Sequence, residues 1–565
     1  MTAALKVFAA DFETTTDPED CRVWAYGWAA IDTPDTVHMG NDLLEFMQAI
    51  SRLGSSIVYF HNLKFDGTFI IWWLLSHGYV WTNDRSLNTK EFTTLYSRMG
   101  NMYSLRVQWS KTKATEFRDS AKKFPLPLAE VAGAFGLDVK KGELDYETYR
   151  EPGHELTPEE RDYLHNDVSI LAHALKQTYE HGQKKLTAGA DALDEFKSVY
   201  GRKQFRRTFP LISREDDKEI RLAYRGGYTY ADERFKGKRL KTNGVVLDVN
   251  SLYPHIMYSR ALPYGLPMRF AEEPPADSSA WLCSITFTAR LKKNHLPIIQ
   301  LKNNFRFGNS EYIKVIDEPV TQSVTNIDWK LYNEHYDIEV YSFNGGFTFK
   351  TETGFFDTYL DKWKEIKENS SGGKRFIAKL MMNSLYGKFA TSPDVTSKAP
   401  DIGSDGQVVW ITQDEEVRDP IYTAMGVFIT SYARELTIRA AQKNYSTFAY
   451  ADTDSLHLLQ ESLPEDLDID PNRLGAWDHE CSFSEAFYMR AKGYIEQHSD
   501  KCHCKACKRS TEPVRTVRVA GLPTSISSRL TFDDFYDKHV IHGKLVPRNV
   551  PGGVVLVDSP YELKM

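Results

Sequence analysis

The hydrophobic pattern opens with a strand, Val7-Phe8-Ala9-Ala10-Asp11, and a second buried strand follows at Ile57-Val58-Tyr59-Phe60. The longest apolar run, Phe69 to Leu75, predicts a buried helix. It is far too short to span a bilayer, which takes about 20 residues. Thr157-Pro158-Glu159-Glu160 starts another helix. Thr157 can cap it, Pro158 suits the first turn, and Glu160 completes a capping box. On that helix Tyr163 and Asp167, four apart, share a face. Residues 1–187 therefore read as an α/β domain.

A second block starts near Tyr224. Gly244-Val245-Val246-Leu247-Asp248 is a buried strand ending in a carboxylate. Residues 355–390 read as helical, broken at Gly372-Gly373. Residues 391–421 hold Pro, Gly, Asp and a short strand pattern, which predicts a hairpin-like excursion. The tail, Val550 to Val557, is turn then strand and fits a small β-rich subdomain. There is no internal repeat and no low-complexity segment.

At 565 residues the chain is too long for one core, so several domains are expected. Hydrophobic content of 41% with 13% aromatic residues supports a well-packed globular protein. Six cysteines, mostly scattered, argue against a disulfide framework and for a reducing cytosol. Met1 to Lys6 leads to Asp11 and Glu13 with no long apolar core, so no secretory signal is expected. Net charge is −7, from 77 acidic and 70 basic residues, which is no overall nucleic-acid signature. Active-site carboxylates also push the balance negative, so a phosphate-handling enzyme stays open. The local basic runs Arg202 to Arg207 and Lys236 to Lys241 read first as solvated faces.

The chemistry concentrates in two sets of acids. In Tyr450-Ala451-Asp452-Thr453-Asp454-Ser455, two carboxylates stand two residues apart and would project side by side from a strand or hairpin. Such a pair repels unless a cation sits between, and hard oxygen ligands suit Mg²⁺. Asp248 completes this downstream set. Between the two carboxylate strands lies a helix whose Lys379, Asn383 and Tyr386 fall on one stripe. A cation, an amide and a ring so placed suit phosphates, sugar and base, with metals bridging the phosphates. The upstream set is Asp11, Glu13, Asp66 and Asp167, with Tyr163 one turn before Asp167. Four acids and a phenol in one α/β domain suggest two-metal hydrolysis of a phosphodiester, Tyr163 orienting the attacking water.

Taken together and in order, these segments resemble the family B DNA polymerases. Asp248-Val249-Asn250-Ser251-Leu252-Tyr253-Pro254, Lys379-Leu380-Met381-Met382-Asn383-Ser384-Leu385-Tyr386-Gly387 and Tyr450 to Ser455 are similar to that family's three polymerase motifs. Asp11-Phe12-Glu13-Thr14-Thr15, Asn62-Leu63-Lys64-Phe65-Asp66 and Tyr163 to Asp167 resemble its three proofreading motifs. Tyr224-Arg225-Gly226-Gly227, Thr430 to Arg434 and Lys492-Gly493-Tyr494 are similar to motifs of the protein-primed branch, the phi-29-like bacteriophage replicases. Chain length, motif order and the tail agree, so the resemblance covers essentially the whole chain.

The resemblance implies an α/β multidomain fold. An RNase H-like (DnaQ-type) 3′→5′ exonuclease domain would occupy 1–187, followed by palm at 188–259 and a terminal-protein-contacting insertion at 260–354. Fingers would follow at 355–390, a strand-displacement and processivity insertion at 391–421, the rest of the palm at 422–524, and a thumb at 525–565. It implies a DNA-dependent DNA polymerase that replicates a linear phage genome by protein-primed initiation, with strand-displacing elongation and proofreading. Asp248, Val249 and Asp454 would bind the polymerase metals, with Asp452 assisting; Asp11, Glu13, Asp66 and Asp167 would bind those of the exonuclease. Two Mg²⁺ would serve each site, with Mn²⁺ as a substitute. Tyr253, Arg375, Lys379, Asn383 and Tyr386 would form the nucleotide site, Tyr253 excluding a 2′-hydroxyl. DNA would meet Thr14, Asn62, Phe65, Ser120 and Lys141 in the exonuclease, and Tyr224, Gly226, Gly227, Thr430, Arg434, Lys492 and Tyr494 elsewhere. Partners would be template and primer, deoxynucleoside triphosphates, a terminal protein and a single-stranded-DNA-binding protein. The protein would be a monomer in the cytoplasm of a bacterial host, with no membrane.

Two departures stand out. His255 follows Pro254 where the family often has a small hydroxyl residue; it either tunes template contact or simply packs. The segment His498 to Cys507 carries His498, Cys502, His503, Cys504 and Cys507. It reads either as a structural Zn²⁺ site through His498, Cys502, Cys504 and Cys507, or as an exposed basic loop with reduced thiols. Two other functional readings stand beside this one: a primer-dependent family B polymerase of a plasmid or mobile element without protein priming, and a catalytically silent DNA-binding scaffold. A scaffold would have little reason to hold all seven carboxylates with Lys379 and Tyr163.

Overall fold

Strand β1 (Lys6–Thr14) is built from near-continuous buried residues because it runs inside a sheet. It pairs antiparallel with β2 (Val23–Ala30) and parallel with β3 (Ser56–Phe60), whose five residues are all buried, as a parallel central strand requires. The computed structural model describes residues 5–84, 86–146, 148–302, 304–536 and 538–564; the reading of Met1 to Ala4 lies outside them. Helix α1 (Leu63–Ser76) follows β3 and buries the Phe69, Ile70, Ile71 and Leu74 side chains. Strand β4 (Lys113–Asp119) pairs parallel with β3 within an eight-stranded sheet. Helix α2 (Pro158–Glu180) packs on β1 and β2, and its Thr157–Glu160 capping box forms as the sequence predicts.

The next sheet carries the downstream acids. It is eight-stranded, with β5 (Thr229–Ala231), the short strand Arg239–Leu240 and β6 (Gly244–Val249) followed by five strands from later in the chain. After β6 comes α3 (Leu252–Ser259). A separate four-stranded antiparallel sheet follows, formed by Leu262–Phe270, Ala280–Leu291, Val315–Thr325 and Tyr336–Glu352. It carries α4 (Asn326–His335). Residues 355–390 are helical as expected, and α5 (Gly372–Ser384) begins at the predicted glycine break. The excursion at 391–421 is an antiparallel hairpin of β7 (Asp394–Ile402) and β8 (Val408–Val417). Helix α6 (Thr423–Lys443) is buried along most of its length. It leads into β9 (Phe448–Asp452), β10 (Ser455–Leu458), β11 (Trp477–Arg490), β12 (Gly493–His498) and β13 (Arg515–Val519). Spatial order is β13-β12-β11-β6-β10-β9-β5. The chain ends in a hairpin of β14 (Leu545–Val550) and β15 (Gly553–Asp558).

Both hairpins return to the N-terminal domain. Val408, Val550, Val554 and Val555 join the same buried cluster as Phe60, Phe69 and Ile70. Trp410 stacks on Tyr96 with ring centroids 3.8 Å apart. Asn549 Nδ2 donates to the Val408 carbonyl at 2.6 Å, and Trp72 Nε1 to the Gly406 carbonyl at 3.2 Å. Gly552 has φ +95°, and a Cβ there would stand 2.1 Å from the Cys21 carbonyl oxygen, so only glycine allows this approach. The N-terminal domain and the two hairpins thus form a continuous apolar contact. No helix among the described residues is long and apolar enough to cross a membrane.

Candidate active sites

The antiparallel pairing of β6, β9 and β10 places three acids at one end of the sheet. Asp248 and Asp452 are both register partners of Ser455. Asp454 lies in the β9–β10 turn, where Thr453 takes φ +63°. That turn is held by the Asp454 carbonyl accepting from Val249 N–H at 2.9 Å and by Thr453 N–H donating to the Tyr228 carbonyl at 2.8 Å. Gly227 lies against it: a Cβ there would stand 2.6 Å from Thr453 Oγ1 and 2.8 Å from its Cβ. The Tyr224–Gly227 segment therefore buttresses the turn between the two carboxylates, whereas Gly226 faces open space.

Burial, then the nearby Asp454 carboxylate, pushes Asp248 up to about 8. Asp454 is raised as well, chiefly by burial. Asp452 is partnered instead: its carboxylate accepts from Lys492 Nζ at 2.8 Å and from Thr229 Oγ1 at 2.8 Å. Two acids that the sequence reading missed add negative charge here. Asp478 is the register partner of Asp248, and Glu480 sits at a bulge of β11 opposite β6. Their signal was an acidic i, i+2 pair on a strand, invisible until β11 was known to pair with β6. The ring of Tyr253 stacks on Tyr386 at 3.9 Å. Lys379 is exposed and lowers Asp248. Arg375 is exposed and donates to the Lys367 carbonyl, and Asn383 is half-buried on the same helix. A groove of about 1220 Å³ contains Asp248, Asp454, Lys379, Lys492 and Tyr494.

The upstream set assembles on β1 and α2. One carboxylate oxygen from each of Asp11, Glu13 and Asp167 lies within 4.8 Å of the others. Burial, then the Asp167 charge, raises Asp11 to about 7. Glu13 is held well above the ordinary range by burial and then by Asp11. Asp66, in the first turn of α1, is raised by burial and by Asp11. Lys141 Nζ pairs with Asp167 Oδ2 at 2.6 Å. Burial alone would lower Lys141, but Asp167 more than offsets this and its ammonium form is favoured. Tyr163 OH lies 2.8 Å from the OH of Tyr146, a second phenol that sequence reasoning did not single out. Burial raises Tyr163, so it stays a neutral donor.

Both sets offer carboxylate oxygens, the donors a hard divalent cation takes. The upstream oxygens already converge, and Asp167 Oδ1 among them is buried with no hydrogen-bond partner. A lone pair left bare in an apolar interior is costly unless a cation takes it.

Three residues expected at DNA are buried in the free chain. Ser120 is fully buried: its Oγ donates to the Phe60 carbonyl at 2.9 Å and lies 3.0 Å from His61 Nδ1. It shapes the turn that presents the exposed Asn62 and half-buried Phe65. Thr430 is buried in α6 and donates to helix carbonyls of Gly426 and Val427. Arg434 is buried too. It pairs with Asp328 at 2.7 Å and donates to the carbonyls of Arg225 and Gly226 at 2.8 and 2.9 Å. Arg434 thus ties α6 to α4 and to the Arg225–Gly226 segment, while Thr430 bonds only within α6. Thr14 is half-buried and Lys141 exposed beside the upstream acids. His255 packs on Gly475, where a Cβ would meet its ring at 2.1 Å.

The sequence profile of the family described as "DNA polymerase type B, organellar and viral" matches residues 52–470. The chain is 44% identical over 573 residues to the DNA polymerase of Bacillus phage Nf, covering 99% of this chain and 100% of that protein. It is 41% identical over 577 residues to the DNA polymerase of Bacillus phage phi29, covering 99% of each. Phi29 DNA polymerase solved with primer-template DNA and incoming nucleotides superposes with a TM-score of 0.93 at 40% identity, covering 99% of this chain and 100% of that one.

Two outcomes follow from this geometry. The folded chain keeps the Asp11 proton up to about pH 7, whereas the unfolded chain releases it near the ordinary 3.8. The native state thus binds more protons between these values, and the metal-free protein loses stability as pH rises through that window. A cation offsets the loss. We expect Mg²⁺ to raise the thermal midpoint more at about pH 8 than at about pH 5, and Asp11→Asn with Glu13→Gln to shrink the difference. A Mg²⁺ effect independent of pH would contradict this. Second, a Cβ at Gly227 would press on the Thr453 side chain from its Oγ1 to its Cβ, so Gly227→Ala should lower nucleotide addition on the order of 10- to 100-fold; equal addition by both proteins would refute the buttress.

Proposed function

The chain belongs to the type B DNA polymerases of viruses and organelles and is a DNA polymerase of the phi29-like phage group; from that premise we propose that it replicates a linear phage genome from a protein primer and proofreads with a second site. Its fold is that of phi29 DNA polymerase. The observation that carries the reading is the convergence of Asp248, Asp452 and Asp454 at one sheet end, facing the groove that also holds Lys379 and Lys492.

At the polymerase site, Asp248, the Val249 carbonyl and Asp454 would hold two Mg²⁺, or Mn²⁺, which would supply positive charge for the triphosphate and acidify the primer hydroxyl. Lys379, a compact exposed ammonium, faces the triphosphate. Tyr253 and Tyr386 form the floor on which the sugar and base rest. Lys492 neutralises Asp452 in the free protein and moves to the primer terminus when DNA enters. Gly226, open to solvent, admits template backbone next to Tyr224.

At the exonuclease site, Asp11, Glu13, Asp66 and Asp167 would hold the second pair of metals. Tyr163 orients the attacking water, and Lys141 passes from Asp167 to the scissile phosphate. Phe65 stacks on a splayed base without regard to its identity, with Thr14 and Asn62 beside it. The four-stranded insertion at 260–354 would be the surface for terminal protein and template, and the β7–β8 hairpin a clamp on downstream DNA. The contact of β8 and β14–β15 with the N-terminal domain supports the clamp. A terminal protein and a single-stranded-DNA-binding protein complete the partners, in the cytoplasm of the bacterial host.

The test is extension of a primer on single-stranded circular DNA with Mg²⁺. Wild type should give products many times the circle length. Asp454→Ala should give none while still shortening the primer, and Tyr163→Phe should extend but degrade poorly. Products that stop after one lap would remove strand displacement; extension by Asp454→Ala would refute the assigned site.

A further inference from the structure

Four side chains outside both carboxylate sites converge at the end of β12. His498 closes that strand, and Cys502, Cys504 and Cys507 lie in the loop leading to β13. One ligand atom from each lies within 4.8 Å of the other three. His498 Nδ1 is 3.2 Å from Cys507 Sγ, 3.6 Å from Cys504 Sγ and 3.8 Å from Cys502 Sγ. Sulfur at about 2.3 Å and nitrogen at about 2.0–2.1 Å from a tetrahedral zinc would stand about 3.5 Å apart. The three distances bracket that value.

The surroundings suit a metal better than loose thiols. His498 Nε2 lies 2.8 Å from Thr516 Oγ1, which fixes the ring with Nδ1 toward the sulfurs. The N–H groups of Ser482 and Cys507 donate to Cys502 Sγ at 3.5 Å and Cys504 Sγ at 3.4 Å, as amides do to thiolates. A disulfide would use two of the three sulfurs and leave the third beside an unmatched imidazole. The loop has little structure of its own. Between β12 and β13, the described residues form no strand or α-helix, only a 3₁₀ turn at Cys507–Arg509. Its sulfurs nonetheless pack against the cluster of Tyr450, Cys481 and Tyr488 behind the catalytic strand β9. Its His503, Cys504 and Lys505 line the groove that contains Asp248 and Asp454.

We propose that His498, Cys502, Cys504 and Cys507 bind one structural Zn²⁺, and that this ion fixes one wall of the primer–template groove. The second clause rests on the polymerase reading; the first does not. Binding releases three thiol protons, and three thiolates with a neutral imidazole leave the centre at net −1. Lys505 and Lys508 on the same loop balance that charge. The ion takes the place of a core that the loop lacks.

The test uses the full chain, made in zinc-supplemented medium without chelators and passed through gel filtration. We expect about one zinc per chain, with an X-ray absorption edge showing a sulfur-rich shell. Cys504→Ser with Cys507→Ser, and separately His498→Asn, should lose the metal. The double variant should release primer–template DNA at least about threefold faster than wild type. Wild type without zinc overturns the site, as does zinc in an oxygen-only shell that survives the substitutions, since it then sits on the carboxylates. Zinc lost with DNA release unchanged overturns the groove-wall role. Metal content and shell are read without DNA, so a failure of the polymerase reading cannot pass for a failure of the zinc site.

Discussion

Like charges forced together in a partly dry place are the constraint on which both sites depend. Asp248 and Asp454 meet at one sheet end with Glu480 close by, and Asp11, Glu13 and Asp167 meet between a strand and a helix. Burial and like charge hold Asp248 up to about 8 and Asp11 up to about 7 in spite of the cations nearby. Lys492 is spent on Asp452 and Lys141 on Asp167. Hydrogen bonding leaves Asp167 Oδ1 bare. A divalent cation resolves the conflict, and phosphate chemistry is what such a cation then performs.

The rest of the fold keeps that conflict in place. A strained turn at Thr453 aims Asp454, and Gly227 lets a neighbouring segment press on it. Arg434 holds that segment from beneath through two carbonyls and is itself anchored by buried Asp328. Removing one partner of such a buried pair costs about 3–5 kcal/mol, because the other is left unpaired. Support for the catalytic turn thus runs from the insertion helix α4 through α6. On the far side, the tail hairpin and the β7–β8 hairpin close on the N-terminal domain, so the two sites share one continuous frame.

Much of this was legible in the residues. The i, i+2 acids Asp11 and Glu13 on one strand, the capping box at Thr157, the glycine break before α5 and the 391–421 hairpin are local signals, and each appears where its pattern places it. What stayed hidden is non-local. Glu480 and Asp478 matter only because β11 pairs with β6, across more than two hundred residues of chain. Ser120, Thr430 and Arg434 have polar side chains that suit a phosphate equally well, and only the fold shows them buried, bonded to backbone carbonyls and, for Arg434, to Asp328 as well. The cysteine cluster lay between two readings because spacing alone cannot say whether three sulfurs and an imidazole face one another.

If cations complete both carboxylate clusters, they must be found there. Anomalous X-ray diffraction from crystals of the chain with primer–template DNA and Mn²⁺ would locate them. Manganese peaks are expected between Asp248 and Asp454 and among Asp11, Glu13 and Asp167. Crystals that diffract well, hold ordered DNA and show no manganese at either cluster would contradict this.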